Sequence, residues 1–254
     1  MSKGVILRVP GAGPGTGPML PAAIPALSPD DYVQRWSAIR APGDVGAAVT
    51  AWPSALGDQA LTYSQETAGA LTVAAINGKR YVKGSGIAAA GTAPKLTSAY
   101  TVPRNSTVAA VIRVPYHAMT VIAAGGWLLT RAGDGRWQVQ DPGTFGGAGF
   151  VTVGAYTSPE AWVVVMFTTP AENPLLRLNA SESTTVNDGQ VSAGTSPASQ
   201  LLSITTGTTP NGANARTANV AEVVVWDRLL TATERTAAVA ALTAAYPMVG
   251  TQTL

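Results

Sequence analysis

The sequence predicts an all-β protein: a two-sheet antiparallel sandwich with a C-terminal helix and an extended N-terminal arm. Three observations lead there. Short runs rich in Val, Ile, Leu, Thr and Trp recur from residue 30 onward, separated by Gly, Pro, Asn and Asp, the punctuation of strands joined by turns. Asn77-Gly78, Asp134-Gly135 and Asn187-Asp188-Gly189 mark hairpins, because a two-residue hairpin turn demands positive φ, which Asn, Asp and Gly tolerate. Finally, the apolar run 223–226 leads at once into a helix start at Thr231 and Glu234, whose spacing is that of a capping box.

Residues 1–29 stand apart. Val5, Ile6, Leu7 and Val9 form a short apolar stretch, followed by Gly and Pro at a density that precludes a packed unit. We read this segment as a docking arm able to add a strand to a partner's sheet; the alternative is a plain tether. Residues 30–254 form the sandwich. Residues 30–36 suit a strand or a single helical turn, and strands follow around 49–53 and 61–63. A hairpin spans 76–84. Further strands fall at 107–114, closed by Pro115, and at 120–124. Residues 128–130 and 136–139 flank the Asp134-Gly135 turn. Next come 150–155, 161–168, 175–179, 184–186, 201–205 and 220–226. The runs at 162–167 and 223–226 are continuously apolar, as strands covered on both faces are. The helix is expected over 232–246, with Leu230, Val239, Leu242 and Tyr246 as a thin apolar stripe, alanines elsewhere, and Pro247 ending it.

Composition narrows the function. Among 254 residues only 12% are charged, the net charge is +2 and there is no cysteine. Disulfides and thiolate metal sites are excluded. No cluster of Lys and Arg interleaved with aromatics is present, so nucleic-acid binding is disfavoured. No stretch has the length of a membrane span, and the apolar stretch at the N-terminus is too short for a signal peptide.

Candidate chemistry is sparse. His117 is the single histidine, so a Ser-His-Asp triad or a histidine metal site would have to use it; a loop histidine is more often a surface residue. Glu160, Glu172, Glu182 and Glu222 are isolated, and no strand carries the closely spaced carboxylates of a retaining glycosidase. The chain therefore reads as no enzyme. Asp134, Asn187 and Asp188 could offer oxygen ligands to calcium, but turn chemistry already explains them. No cofactor or metal is expected, structural calcium being left open without support.

Six tryptophans are the best case for binding, since an amphipathic ring suits a sugar face. Trp52, Trp162 and Trp226 lie within apolar runs and are assigned to the core. Trp127, beside Gly125-Gly126, and Trp137, beside the Asp134-Gly135 turn, are placed with Tyr116 and His117 at one end of the sandwich as the candidate ligand-binding group. The alternative is that they complete the core or a subunit contact.

Residues 221–235, with Glu222, Trp226-Asp227-Arg228, Leu230 and Glu234-Arg235, resemble the closing element of concanavalin A-like (laminin-G-like) jelly rolls in bacterial and phage proteins. Trp52 with the segment ending at 61–63, and the hairpin 76–84, resemble further parts of that domain. Ser54 stands where many relatives have Asp, and Val82-Lys83 where they have Phe-Asp. The resemblance is to the domain found in minor tail proteins of phages infecting actinobacteria. It implies a structural virion protein near the tail tip or baseplate, exposed to the extracellular medium, that holds other tail proteins through its arm (Val5, Ile6, Leu7, Val9). It further implies a role in holding host-surface glycans; low charge and a surface rich in Ala and Thr lead us to expect a homo-oligomer, for which tail symmetry often imposes three copies, a number the sequence does not reveal. A capsid decoration protein and a free lectin-like module are the alternatives.

Overall fold

The computed structural model describes residues 33–57, 59–64, 70–85, 95–114, 119–132, 135–140, 150–153, 161–184, 186–187, 199–205 and 218–249. The proposed arm, Tyr116 and His117 lie outside them. The first strands are β1 (Gln34–Ser37), β2 (Ala51–Trp52), β3 (Leu61–Ser64), β4 (Ala70–Ile76), β5 (Lys79–Ser85) and β6 (Lys95–Pro103). Next come β7 (Thr107–Arg113), β8 (Met119–Ala124), β9 (Trp127–Arg131), β10 (Trp137–Gln140), β11 (Phe150–Val153) and β12 (Trp162–Thr168). The chain continues through β13 (Leu176–Leu178), β14 (Ser181–Ser183), β15 (Val186–Asn187), β16 (Ser199–Thr205) and β17 (Asn219–Trp226) to helix α1 (Ala232–Ala245).

These strands build two antiparallel sheets. One runs β14-β13-β12-β7-β17-β5-β4, with β1 paired to β17 off this path. The other runs β15-β11-β10-β9-β8-β16-β6-β3-β2. The sandwich expected from the sequence is thus the fold observed. At the β4–β5 hairpin, Asn77 and Gly78 have φ of 50° and 73°, the positive values that the Asn-Gly turn requires.

Side-chain alternation assigns the faces. Val163, Val165 and Phe167 of β12 and Val223 and Val225 of β17 point between the sheets. There they meet Leu61, Leu96, Ile122, Leu129 and Ile204 of the second sheet. The intervening residues Trp162, Val164, Met166, Val224 and Trp226 form a second cluster on the outer face, under Val239, Leu242 and Tyr246. This is why β12 and β17 read as unbroken apolar runs: one face meets the opposite sheet and the other meets α1.

The helix begins as expected at the capping box. Glu234 N donates to Thr231 Oγ1 at 3.3 Å, and Thr231 N donates to Glu234 Oε2 at 2.8 Å. It ends one residue earlier than expected, with Tyr246 as its C-cap. A further difference concerns a strand. The expected strands leave residues 95–103 unassigned, yet among the described residues β6 is the longest strand, at nine residues. Its inward positions Leu96, Ser98 and Val102 are buried while Ala99 and Thr101 are exposed. That alternation is real, but Ser98 and the surrounding Thr residues hide it from a count of apolar side chains.

Sheet edges are guarded. The free side of β4 is taken by the segment 46–49: Gly46 N donates to Val73 O at 2.8 Å, Val73 N to Ala47 O at 2.9 Å and Val49 N to Leu71 O at 2.8 Å. At the other edge β14 is only three residues long and carries Glu182 at its centre.

Candidate functional site

All six tryptophans are buried, each with less than 2% of its surface exposed. Trp127 and Trp137 therefore correct the expectation of a sugar platform. Trp127 sits at the start of β9, its ring in the inter-sheet core and its Nε1–H donating to Pro170 O at 2.9 Å. Trp137 pairs with Arg131, at the far end of the same strand. Four residues of extended chain, roughly 13 Å, separate the two positions, so the sandwich does not bring them together. A ring closed off from solvent has no face left for a sugar.

Trp137 instead supports Arg131. The guanidinium carbon lies 5.7 Å from the Trp137 ring centroid, a cation–π distance, and Nη1 donates to Val114 O at 3.2 Å. Burial pulls the guanidinium pKa down to about 10, leaving it charged at neutral pH. Arg131 thereby fixes the end of β7, from which the chain runs on toward Tyr116 and His117.

The 221–235 segment resolves into a chain of partners. Glu222, isolated in the sequence, is fully buried in β17, at 0% exposure. It accepts from Arg35 Nε of β1 and from the Tyr246 hydroxyl. Ser37 Oγ lies 3.3 Å from that hydroxyl. Burial, then the Glu222 charge, push the Tyr246 pKa far above the usual tyrosine range, so the phenol stays protonated as a donor. The cluster ties the last turn of α1 to β17 and β1. Arg228 grips Glu234 through both carboxylate oxygens at 2.8 and 3.0 Å; this hydrogen bonding, together with the bonds from Thr231, lowers the Glu234 pKa to about 2. Arg235 binds both oxygens of Glu182 at 2.7 and 3.0 Å, and Arg177 reaches Glu182 at 3.1 Å and Thr236 at 3.2 Å. Hydrogen bonding to Arg235 is the main cause of a lowered Glu182 pKa. Earlier in the chain, Trp52 Nε1–H donates to Ser37 O at 2.8 Å and Ser54 Oγ to Arg35 O at 2.9 Å. Ser54 therefore holds β1 in place, a task its short hydroxyl performs without a charge.

Within 222–235 one charged residue is left over. Asp227 is exposed and makes no hydrogen bond or ion pair among the described residues. Tyr100 is a partly buried ring that packs on the inter-sheet core. Burial, then the Asp227 charge, raise the Tyr100 pKa. Sequence pattern does not single out Tyr100, because the alternation of β6 is hidden among Ser and Thr.

A groove of about 610 Å³ runs between α1 and the β13–β14 turn, lined by Arg177, Asn179, Val239, Thr243 and Val249 among others. Its lining is small and mostly apolar, and Arg177 is already committed to Glu182 and Thr236. It offers neither a ring nor an uncommitted charge to a sugar. Among the described residues no cluster of His, Asp and Glu could hold a metal ion.

No family model matches the sequence, and no curated protein matches it. Solved structures do match in fold. A Trypanosoma rangeli sialidase in complex with 2,3-difluoro-KDN superposes with a TM-score of 0.53 at 12% identity, over 92% of this chain and 37% of that one. The same sialidase with sialic acid gives 0.52 at 15% identity, over 92% and 36%. A botulinum neurotoxin type C structure, described for cell entry that depends on two ganglioside molecules, gives 0.57 at 10% identity, over 84% and 51%. The chain thus spans about a third to a half of these neighbours. These likenesses correct the expectation of no enzyme. Sialidases are among the solved structures that share this fold, beside a neurotoxin structure described for its interaction with gangliosides. The chain carries an antiparallel β-sandwich, consistent with a concanavalin A-like jelly roll and shared at fold level with parts of these proteins.

Proposed function

We propose that this protein is a structural component of a phage tail that also holds host-surface glycans. The observation that supports the reading most is the 221–235 segment: Glu222, Trp226, Arg228, Glu234 and Arg235 each have a defined partner in the sandwich or helix. The resemblance to phage tail domains therefore falls on residues that build the fold. Glycan holding is supported by the sandwich itself, a fold matched by structures described with sialic acid and with gangliosides. The arm at 1–29, with Val5, Ile6, Leu7 and Val9, is the element proposed to join neighbouring tail proteins. Tyr116 and His117 remain proposed ligand contacts.

Two experiments test this. Mass spectrometry of particles purified from the phage that encodes the chain is expected to find it in the virion; its absence sinks the tail reading. Deleting residues 1–28 is expected to abolish incorporation and leave glycan binding intact. Incorporation without the arm would remove the arm's role.

A further inference from the structure

We propose that the outer face of β5 binds a linear acidic polysaccharide through Lys79 and Lys83, with Tyr81 between them. The inference rests on the glycan-holding role above and names its ligand class. Alternation along the strand assembles the group. Val82 points between the sheets, so Lys79, Tyr81 and Lys83 stand on the opposite face, where Tyr81 packs against the margin of the helix–sheet cluster. Arg80 turns away from them, and its Nη2 donates to Ala41 O at 3.1 Å. The chain has four lysines, and two of them thus share one face of one strand. This corrects the expectation that no basic residues interleave with an aromatic.

Two observations show that the fold leaves this group uncommitted. First, no acid stands across from the lysines, although an opposite charge on the next strand is a common cross-strand partner. On β4, Ile76, Ala74 and Thr72 pair with Lys79, Tyr81 and Lys83. On the other side Val220 pairs with Val82, which sets Asn219 beside Lys83. Glu222 is the one acid in β4, β5, β7, β12 and β17, and it is buried against Arg35 and Tyr246. Arg35, Arg177, Arg228 and Arg235 each pair with a glutamate. Lys79 and Lys83 make no hydrogen bond or ion pair among the described residues. Second, Tyr81 is a partly exposed ring held in place from beneath. Its centroid lies 5.1 Å from that of Trp162, with the rings at 73°, an edge contact that fixes its orientation.

Spacing selects the ligand. Four residues of extended chain put Lys79 and Lys83 roughly 13 Å apart, too far to clasp a single carboxylate together. Duplex DNA carries a charge about every 1.7 Å and is held by many cations at once, whereas β5 offers two on this face. An acidic polysaccharide carries one charge per sugar or per pair of sugars. Its carboxylates can meet the two ammonium groups in turn, while a sugar ring between them lays its C–H groups on Tyr81.

The test measures binding of the full chain to oligogalacturonates, to neutral malto-oligosaccharides and to single-stranded DNA, by calorimetry or ligand-detected NMR at low ionic strength. Wild type is expected to prefer the oligogalacturonates, and to lose affinity for them as salt rises from about 20 to 200 mM. Lys79→Gln and Lys83→Gln are each expected to weaken that binding about threefold, and the double variant about tenfold, with melting midpoints unchanged because neither lysine holds the fold. Tyr81→Phe keeps the ring and is expected to retain binding; Tyr81→Ala is expected to lose it. Should Tyr81→Ala unfold, the lysine variants still decide. Preference for the neutral set or for DNA, or oligogalacturonate binding unchanged in the double lysine variant, overturns this site. Glycan holding survives those results wherever a sugar still binds. No binding to either sugar set overturns both.

Discussion

Glu222→Gln is expected to lower stability sharply. The side chain is fully buried and accepts from Arg35 Nε and from the Tyr246 hydroxyl. Glutamine preserves the shape but removes the charge and turns one acceptor into a donor. Arg35, only 6% exposed, loses the Glu222 charge, and one of the two donors faces an N–H. Breaking a buried ion pair from one side destabilises by about 3–5 kcal/mol. At roughly 2–4 °C per kcal/mol for a chain of this size, the thermal midpoint is expected to fall by roughly 6–20 °C. Circular dichroism melting of wild type, Glu222→Gln, Arg35→Met and the double variant forms a thermodynamic cycle. The double variant is expected to recover part of the loss, because two uncharged groups replace a buried charge that has lost Glu222. Single variants within about 1 kcal/mol of wild type, or a coupling near zero, would refute the reasoning that this pair locks β1 to β17.

Other outcomes follow from the same geometry. Leu242, 1% exposed in the helix–sheet cluster, should destabilise by about 2–5 kcal/mol as Leu242→Ala, measured by urea unfolding. Glu234 has its pKa lowered from an ordinary 4.5 to about 2 in the folded chain. A depressed acid stabilises above its unfolded pKa, so this contribution should be complete above about pH 5 and fade as pH falls from 4.5 toward 2. Urea midpoints across that range should show a smaller decline in Glu234→Gln than in wild type. Gly125 has φ of +57°, and an added Cβ would meet the Thr169 side chain at 2.7 Å; Gly125→Ala should cost more than about 1 kcal/mol, read as a lower melting midpoint.

Much of the architecture was legible in the sequence because it depends on local rules. The Asn77-Gly78 turn, the capping box at Thr231 and Glu234, and the unbroken runs of β12 and β17 each encode their own conformation. The apolar stripe of α1 was equally readable, and Val239, Leu242 and Tyr246 are buried as expected. The site was not legible, because burial is decided between segments distant in the chain. Trp127 follows two glycines and Trp137 adjoins a turn, a setting that suggests exposure, yet the opposite sheet closes over both. Glu222 stands alone in sequence, and its partner Arg35 lies 187 residues away. Asp227 resembles its charged neighbours until the fold pairs each of them and leaves it exposed. Backbone preferences act over a few residues and the sequence by itself determined them here. Which side chains remain for a ligand is set by packing, and that the tertiary structure alone decided.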